Sequence, residues 1–367
     1  MSARAKAHGI RWVATSIGVL SLLACLAIGR KAPEQALLSY LFAFLFFTGL
    51  SIGSLAVLLV HGLTGGSWGT WLRPPLLAAA RALPLQAVLV VPILMGMRWL
   101  YPWARVGALE HDALLRAQSW YLNPTFFVCR SVLYFSLWLL LLAAVAGRRH
   151  QERDGLPRIA AIGLIVYALS TLLASTDWAM SLMPHWHSST FGLLVASGWM
   201  LAASALAVTC ALLQGATEGA PVQQRIDLGN LLLALTLVWG YLAFMQYLTI
   251  WVADLPDETA WYLPRTLTSW RTLAWLLSAA RFLLPFAVLL SRAAKRRRTW
   301  LTATASLLVL GSLIDAFWLV VPGARPAGFE LRWTDLLAPI GVGGLWCALF
   351  LEPLRRMRWA RPELAYG

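Results

Sequence analysis

The run ALLSYLFAFLFFTGLSIGSLAVLLVH, at positions 36–61, contains no Asp, Glu, Lys or Arg. A helix needs about 20 consecutive, mostly apolar residues to cross the hydrocarbon core of a bilayer, so this run alone predicts a transmembrane helix. Nine other runs meet the same criterion, and we predict an all-α, polytopic membrane protein with about ten transmembrane helices. The other nine runs are 12–29, 76–97, 124–146, 157–177, 189–213, 228–252, 270–291, 300–321 and 334–352.

The composition agrees with this class of protein. Of the 367 residues, 59% are hydrophobic and 13% are charged, whereas a soluble domain carries about a quarter charged residues. The net charge of +14 is typical of nucleic-acid binding in a soluble protein, but no basic stripe is interleaved with exposed aromatics. We therefore exclude nucleic acid as a partner and expect membrane lipid instead. The four cysteines lack CxxC spacing, so we predict that they are small buried hydrophobes rather than metal or haem ligands.

The loop charges predict the topology. Loops on the side that holds the N-terminus carry 18 Lys and Arg residues, against 8 on the opposite side. Cytoplasmic loops carry the excess of positive charge, so we expect both termini to be cytoplasmic. The basic N-terminus before run 12–29 resembles a signal peptide, but we favour an uncleaved first helix because many further runs follow.

The order of the runs suggests an internal repeat within a single integral membrane domain, 1–367. We predict a first four-helix bundle over 36–177, a second over 189–321, and a last helix at 334–352. An arginine followed by an aspartate recurs at matching places in the two sets. Arg130 and Asp177 belong to the first, and Arg281 and Asp315 to the second. Parallel repeats with function at their interface are common in membrane folds.

The segment STDWAMSLMPHWHSSTFG, at 175–192, joins two of the runs and is the first candidate site. Ionisable groups at a hydrocarbon boundary are costly and usually functional, so Asp177 is a candidate for proton exchange. The alternative is a carboxylate wetted at a helix end. His185 is a candidate proton relay or a contact for a quinone carbonyl. We expect His187 to be an ordinary exposed loop residue.

Arg281 and Asp315 lie well inside their runs, roughly 15 Å and 9 Å deep at ~1.5 Å per residue. Each should meet an opposite charge or a carbonyl in the bundle, and the two could meet each other. Such a pair serves either charge movement or packing alone. Arg130 is shallower, and we predict that it is a third buried charge beside Arg281 and Asp315, with outward snorkelling as the alternative.

A second set of candidates concerns proton uptake from the cytoplasmic side. Asp227, Asn230, Ala234 and Tyr241 follow one stripe of the predicted helix 228–252. This stripe either holds water that feeds protons toward the middle or makes helix–helix contacts. His61, at the cytoplasmic end of run 36–61, is a candidate uptake group or an ordinary interfacial residue.

Two outer connections stand out. The connection 98–123 is too long for a simple turn, so it either folds over the surface or binds a partner. The connection 253–269 is acidic and aromatic, and its aromatic residues suit a belt at the membrane interface. The aromatics in and directly beside this connection are Trp251, Trp261, Tyr262 and Trp270.

Several segments resemble the ActF membrane subunit of bacterial alternative complex III, one of the NrfD-like membrane proteins. The strings DWAMSLMPHWHSSTFG (177–192) and IWVADLPDETAWY (250–262) are the most specific. YLNPTFFVCRSVLYFSLW (121–138) and RALPLQAVLVVPILMGMRWLYPW (81–103) extend the likeness. In the family an acid often precedes the proline of PHW. Met183 stands there in this chain, and a thioether cannot carry a proton.

The resemblance implies ten helices in the bacterial inner membrane and a role in a quinol:electron-acceptor oxidoreductase. It implies assembly with a larger NrfD-like subunit, a periplasmic iron–sulfur subunit, multi-haem cytochrome c subunits and, in some complexes, a terminal oxidase. Haem c and iron–sulfur clusters would belong to those partners, and this chain would hold no cofactor beyond a quinone or quinol. The alternatives are a purely structural anchor and an independent secondary transporter.

Overall fold

The computed structural model describes residues 3–147, 156–215 and 221–356, and the regular elements of these ranges are all helical. Ten helices in them are long and apolar enough to cross a membrane, which confirms the predicted all-α, multi-pass membrane fold. In chain order they are α1 (Gly9–Gly29), α2 (Pro33–Thr64), α3 (Ser67–Met95), α4 (Pro124–Ala146), α5 (Pro157–Leu182), α6 (Phe191–Leu213), α7 (Val222–Ala253), α8 (Trp270–Leu290), α9 (Arg298–Ala324) and α10 (Trp333–Leu354).

Helices α2 and α6 form the centre of the molecule. In their most apolar windows 94% and 83% of the residues are buried, compared with 28% for α7 and 22% for α8. The two central helices approach closely because α2 has glycines at the contact. A Cβ on Gly53 would clash with the carbonyl oxygen of Trp199 on α6, and one on Gly49 would clash with the Trp199 ring.

The neighbours of α2 and α6 follow a common pattern. Helix α2 packs on α3 and α5, and α6 packs on α7 and α9, so the first helix of each predicted set contacts the second and fourth. Between the sets, α2 also contacts α9 and α6 also contacts α5. The packing is compatible with two related bundles, but the division of the chain at 36–177 and 189–321 stays a prediction.

Helix α5 ends in a separate 3₁₀ turn, Met180–Leu182, and two other spanning helices, α3 and α8, are interrupted within their length. Helix α3 consists of Ser67–Ala80, Leu83–Leu89 and Val91–Met95. It begins nine residues before the predicted run. Helix α8 contains a π-helical turn, Ala279–Leu283, in which the N–H of Leu284 donates to the carbonyl of Ala279. Pro285 follows at once. Because proline lacks an N–H and crowds the carbonyl four residues earlier, a widened turn is a physically reasonable neighbour for it.

The outer connections lie over the bundle. Residues 98–123 form short helical segments, and Tyr101 and Trp103 there are buried. Beside the other connection, at the end of α7, Trp251 is 64% exposed, as a membrane belt requires. Trp261 and Trp270 are 5% and 0% exposed, so the belt prediction is wrong for both, which pack inside instead.

Two further sequence predictions concern the burial of the cysteines and the orientation of the chain in the membrane. Cys25 is buried but Cys129 is exposed, so the prediction that all four cysteines are buried is wrong for Cys129. Five of the arginines used for the topology, at 148–155 and 357–361, lie outside the described residues. The cytoplasmic placement of the termini stays a prediction.

Candidate functional site

Asp177 and Arg130 form a buried ion pair. Asp177 lies in the last turn of the helical segment Leu156–Trp178 and is 0% exposed. Arg130 of α4 donates from Nε to Oδ2 at 2.7 Å and from Nη2 to Oδ1 at 2.9 Å, and the Tyr134 hydroxyl donates to Oδ2 at 2.7 Å. Both carboxylate oxygens are therefore bonded, and the alternative of a carboxylate wetted at the helix end is wrong.

The arginine of this pair is held from its other side as well. Arg130 is 5% exposed and donates from Nη1 to the Tyr121 carbonyl at 2.9 Å. Its guanidinium carbon, Cζ, lies 3.8 Å from the centroid of the Tyr121 ring. Burial and, secondly, the charge of Asp177 raise the pKa of the Tyr121 hydroxyl. The prediction that Arg130 is a buried charge is therefore confirmed, and the alternative of outward snorkelling is wrong, because a paired carboxylate within the bundle offers it a better partner than the interface does.

His185 does not meet Asp177 through any hydrogen bond or ion pair of the described residues. Its Nε2 lies 2.9 Å from Oδ2 of Asp112, in the connection 98–123. Asp112 also caps the short helix Ala113–Gln118, accepting from the N–H groups of Leu114 at 2.9 Å and Leu115 at 3.2 Å. The Leu115 hydrogen bond lowers the pKa of Asp112, with a smaller contribution in the same direction from His185. His185 thus joins two outer connections.

Arg281 and Asp315 form a second ion pair, deep in the membrane, which confirms that the two meet. Arg281 is 1% exposed and belongs to the π-helical turn of α8, about 16 Å along the helix from Trp270 at ~1.5 Å per residue. Its Nη2 also lies 3.4 Å from the carbonyl oxygen of Gly198, and its guanidinium lies 4.3 Å from the Trp239 ring centroid. The arginine therefore has two contacts besides the carboxylate.

This second pair borders a small cavity where α2, α5, α6, α8 and α9 meet. The cavity measures about 30 Å³, and its polar lining consists of the ion pair together with Ser175 and Ser312. A site needs roughly 10–15 Å³ per water, so it has room for about two water molecules with polar partners. The remaining lining is mostly apolar and comprises Leu45, Phe46, Ala179, Val195, Gly198, Trp199, Ala202, Ala316 and Leu319.

A larger groove opens at the outer ends of α5 and α6. It measures about 320 Å³ and has an apolar side with a polar rim. Nε2 of His187, on the rim, lies 3.2 Å from the amide nitrogen of Gln118. Its residues are Leu172, Leu173, Thr176, Met180, His187, Ser188, Ser189 and Gly192.

The candidates for cytoplasmic proton uptake are not brought together inside the bundle. Asn230 and Ala234 are exposed on α7 and Tyr241 is 61% exposed, so the stripe does not lie inside the bundle. The alternative, a contact between helices, is found at Asn230, whose Oδ1 accepts from Nζ of Lys295 at 2.6 Å. Asp227 accepts a hydrogen bond from Gln223 at 2.8 Å on the same outward side. His61 is half-buried, and its Nε2 lies 3.0 Å from the carbonyl oxygen of Gly66.

Sequence reasoning missed two buried arginines. Arg325 donates from Nη1 to Oδ2 of Asp335 at 2.7 Å and from Nη2 to Oδ1 at 3.0 Å, and Ser39 of α2 donates to Oδ1 at 2.6 Å. Arg265 is 1% exposed and donates to three backbone carbonyls. Both arginines lie between apolar runs, where a loop charge is normally solvated. Asp335, at the start of run 334–352, was the one sequence feature that indicated a buried partner for Arg325.

No family model matches the chain, and no curated protein matches it. In the described ranges, His, Cys, Asp and Glu side chains nowhere gather in the groups of three that could hold a metal ion.

Proposed function

We propose that this chain is an integral membrane subunit, without a cofactor of its own, of a respiratory quinol:electron-acceptor oxidoreductase of the alternative complex III type. The redox class and the partner subunits are supported by the resemblance of 177–192 and 250–262 to that family. The proton-conducting part of the proposal is supported by one observation in particular. The Arg281–Asp315 pair lies at membrane depth on a cavity with room for water.

The chemistry follows from what each group can do. Arg281 stays protonated, so Asp315 and water are the groups that carry a proton here. While the guanidinium is bound to Asp315, it supplies the counter-charge of the carboxylate. The carbonyl of Gly198 and the ring of Trp239 give Arg281 contacts to keep when it leaves the carboxylate. Asp315 then accepts an excess proton that is relayed through the cavity water, and it returns that proton to the water when the arginine comes back.

The quinone part of the proposal is best placed in the outer groove. The central cavity, at about 30 Å³, is far too small for a quinone ring, whereas small-molecule pockets measure about 300–1,000 Å³. The outer groove, at about 320 Å³, is within that range. If the Gln118 amide nitrogen donates to Nε2 of His187, the proton of the neutral ring is on Nδ1. That N–H is a donor for a quinone carbonyl.

A structural anchor is the second candidate, and the Asp177 site favours it. The bonds from Arg130 and Tyr134 saturate the carboxylate, and Asp177 lines neither cavity. We therefore assign Arg130–Asp177 to packing and Arg281–Asp315 to charge movement. A transporter interpretation expects broken helices at equivalent positions of two repeats. The interruptions here fall in α3 and α8, the second helix of one set and the third of the other.

The test is made in the purified complex, with quinol oxidation and proton uptake as separate measurements. Asp315→Asn should lower both by about 10²-fold, the range of a lost acid–base group. Because Asn leaves Arg281 buried without a counter-charge, the neutral pair Arg281→Gln/Asp315→Asn is measured beside it. Asp227→Asn, on the outward side of α7, is the matched control and should behave as wild type.

Normal quinol oxidation and proton uptake by an assembled neutral-pair variant would contradict the proton role and favour the anchor. Transport by the chain reconstituted without redox partners would favour the third alternative. A complex purified with this chain that contained neither haem c nor iron–sulfur subunits would contradict the redox class itself.

A further inference from the structure

A group of arginines lies where α7, α8 and α9 reach the membrane surface on the side of the N-terminus. Helix α8 ends at Leu290, the short helix Arg292–Arg296 follows, and α9 begins at Arg298. Arg225, in the first turn of α7, donates from Nε to the carbonyl of Arg296 at 3.0 Å, which fixes α7 beside this short helix. We define the basic patch as Arg225, Arg292, Arg296 and Arg297.

The short helix is anchored by Lys295 rather than by its arginines. Lys295 is 6% exposed and donates from Nζ to Oδ1 of Asn230 at 2.6 Å. Its stem covers Gly229 so closely that a Cβ there would lie 2.6 Å from the Lys295 Cγ. Ser291 caps the helix by accepting from the N–H of Ala294. With these contacts holding the backbone, Arg292, Arg296 and Arg297 remain exposed.

The exposed arginines have no acidic partner among the described residues. None of Arg292, Arg296 and Arg297 belongs to an ion pair there, and the nearest acid along α7, Asp227, is bonded to Gln223. Arg298 is left out of the patch because its Nη2 already donates to the Leu213 carbonyl, whereas the hydrogen bond of Arg225 to the Arg296 carbonyl uses Nε, at the base of the guanidinium. Three guanidinium groups are thus concentrated at a membrane surface, with a fourth beside them.

We propose that the basic patch binds the headgroup of an anionic phospholipid. A guanidinium presents paired N–H donors in the planar geometry that suits phosphate oxygens, and basic clusters at a membrane surface attract anionic lipids. The surroundings fit a lipid rather than a free ion. Trp300, in the first turns of α9, is 52% exposed, as suits an interfacial ring, and Leu290 is 57% exposed for contact with an acyl chain. The site is independent of the proposed redox role.

The experiment is native mass spectrometry of the full chain in detergent, titrated with cardiolipin and, separately, with phosphatidylcholine. Wild type should bind cardiolipin with a clear preference. Arg292→Gln/Arg296→Gln/Arg297→Gln should weaken cardiolipin binding about tenfold or more, because three of the four phosphate donors are lost. The triple Arg→Lys variant at the same three positions keeps the charge but not the forked donors. Its cardiolipin binding should lie between that of wild type and that of the glutamine triple.

The matched control removes three exposed arginines on the opposite side, in Arg98→Gln/Arg105→Gln/Arg271→Gln, and should leave cardiolipin binding unchanged. Equal loss in the control would show that net charge alone governs binding, which overturns the site. Unchanged binding in the patch variant overturns it too. Displacement of cardiolipin by equimolar inorganic phosphate would mean a free-anion site and no lipid site. Should the glutamine triple fail to fold, undiminished binding by the lysine triple is decisive against the proposal.

Discussion

Arg265 donates from Nη2 to the carbonyl oxygen of Trp318 at 3.2 Å, and this is the carbonyl that Pro322 leaves without its helical hydrogen bond. Proline at position i cannot donate to the carbonyl at i−4, so α9 would otherwise carry an orphan acceptor inside the protein. Arg265 also donates to the Leu319 carbonyl at 3.3 Å and to the carbonyl of Trp261, four residues before it in the chain, at 2.6 Å. An arginine from an outer connection thus completes the last turns of a spanning helix.

This relationship predicts a coupling between Arg265 and Pro322. Arg265→Met should lower the free energy of unfolding by about 3 kcal/mol, since a charged donor to buried carbonyls is lost. In a Pro322→Ala background the new N–H can supply the Trp318 carbonyl. The same substitution should then cost about 1 kcal/mol less. A double-mutant cycle measured by denaturant unfolding in detergent gives this coupling energy.

The control for this cycle is Arg271→Met, since Arg271 is exposed at the start of α8. It should cost little and show no coupling to Pro322→Ala. Additive costs for Arg265→Met and Pro322→Ala would mean that the arginine does not substitute for the missing N–H.

The Arg130–Asp177 pair should behave as a packing device. Asp177→Asn leaves a buried guanidinium without its counter-charge, and such losses cost about 3–5 kcal/mol. We expect less assembled protein and a lower unfolding temperature, but normal quinol oxidation per assembled complex. Arg130→Met/Asp177→Leu, in which both charges are gone, should recover much of the stability. An Asp177→Asn complex that assembled fully yet oxidised quinol slowly would return Asp177 to the list of catalytic candidates.

The ten spanning helices could be predicted from the sequence because long apolar runs without charge have few other uses. The Arg281–Asp315 contact could also be anticipated, since a deep charge must find a partner. The orientation of α7 could not be predicted. In a membrane both the packed side and the lipid side of a helix are apolar, so the stripe from Asp227 to Tyr241 gave no sign of facing outward.

Other parts of the candidate site depend on contacts between distant segments. His185 lies eight residues after Asp177 in the sequence but pairs with Asp112, because connection 98–123 folds back over the outer end of α5. Nothing local in the sequence marks Arg265 as buried, since its acceptors are backbone carbonyls with no side-chain signature. These features follow from tertiary packing and could not be read from periodicity.

The stability of the short helix Ala113–Gln118, which Asp112 caps, should depend on pH. Its pKa in the folded protein lies below the ordinary 3.8, so it stabilises the fold above its unfolded-state pKa. That contribution is lost as the pH falls through the folded-state value. We expect amide exchange at Leu114 and Leu115 to be slow near neutral pH and to rise, relative to its intrinsic rate, below about pH 4. Hydrogen–deuterium exchange at a series of pH values measures this.

Two substitutions separate the cap from the contact with His185. Asp112→Asn keeps an N-cap acceptor, so protection of the two amides should persist and lose its acid dependence. Asp112→Ala removes the cap, and protection should fall at every pH. If Asp112→Asn exposed the amides as much as Asp112→Ala, the charge pair with His185 rather than the cap would hold this helix.

The contact between α1 and α10 should depend on Gly344. A Cβ at this position would lie 2.7 Å from the carbonyl oxygen of Ala14 and 2.8 Å from the Cα of Gly18, both backbone atoms of α1 that cannot move aside as a side chain would. Gly344→Val should therefore separate α1 from α10 and expose α1 to proteolysis, while α2 to α9 keep their packing. The measurement is limited proteolysis in detergent together with thermal unfolding. Gly9→Val is the matched control, because a Cβ at Gly9 has no heavy atom within 4 Å. Equal resistance to protease in Gly344→Val and Gly9→Val would show that the close approach of the two backbones is not what holds α1 in place.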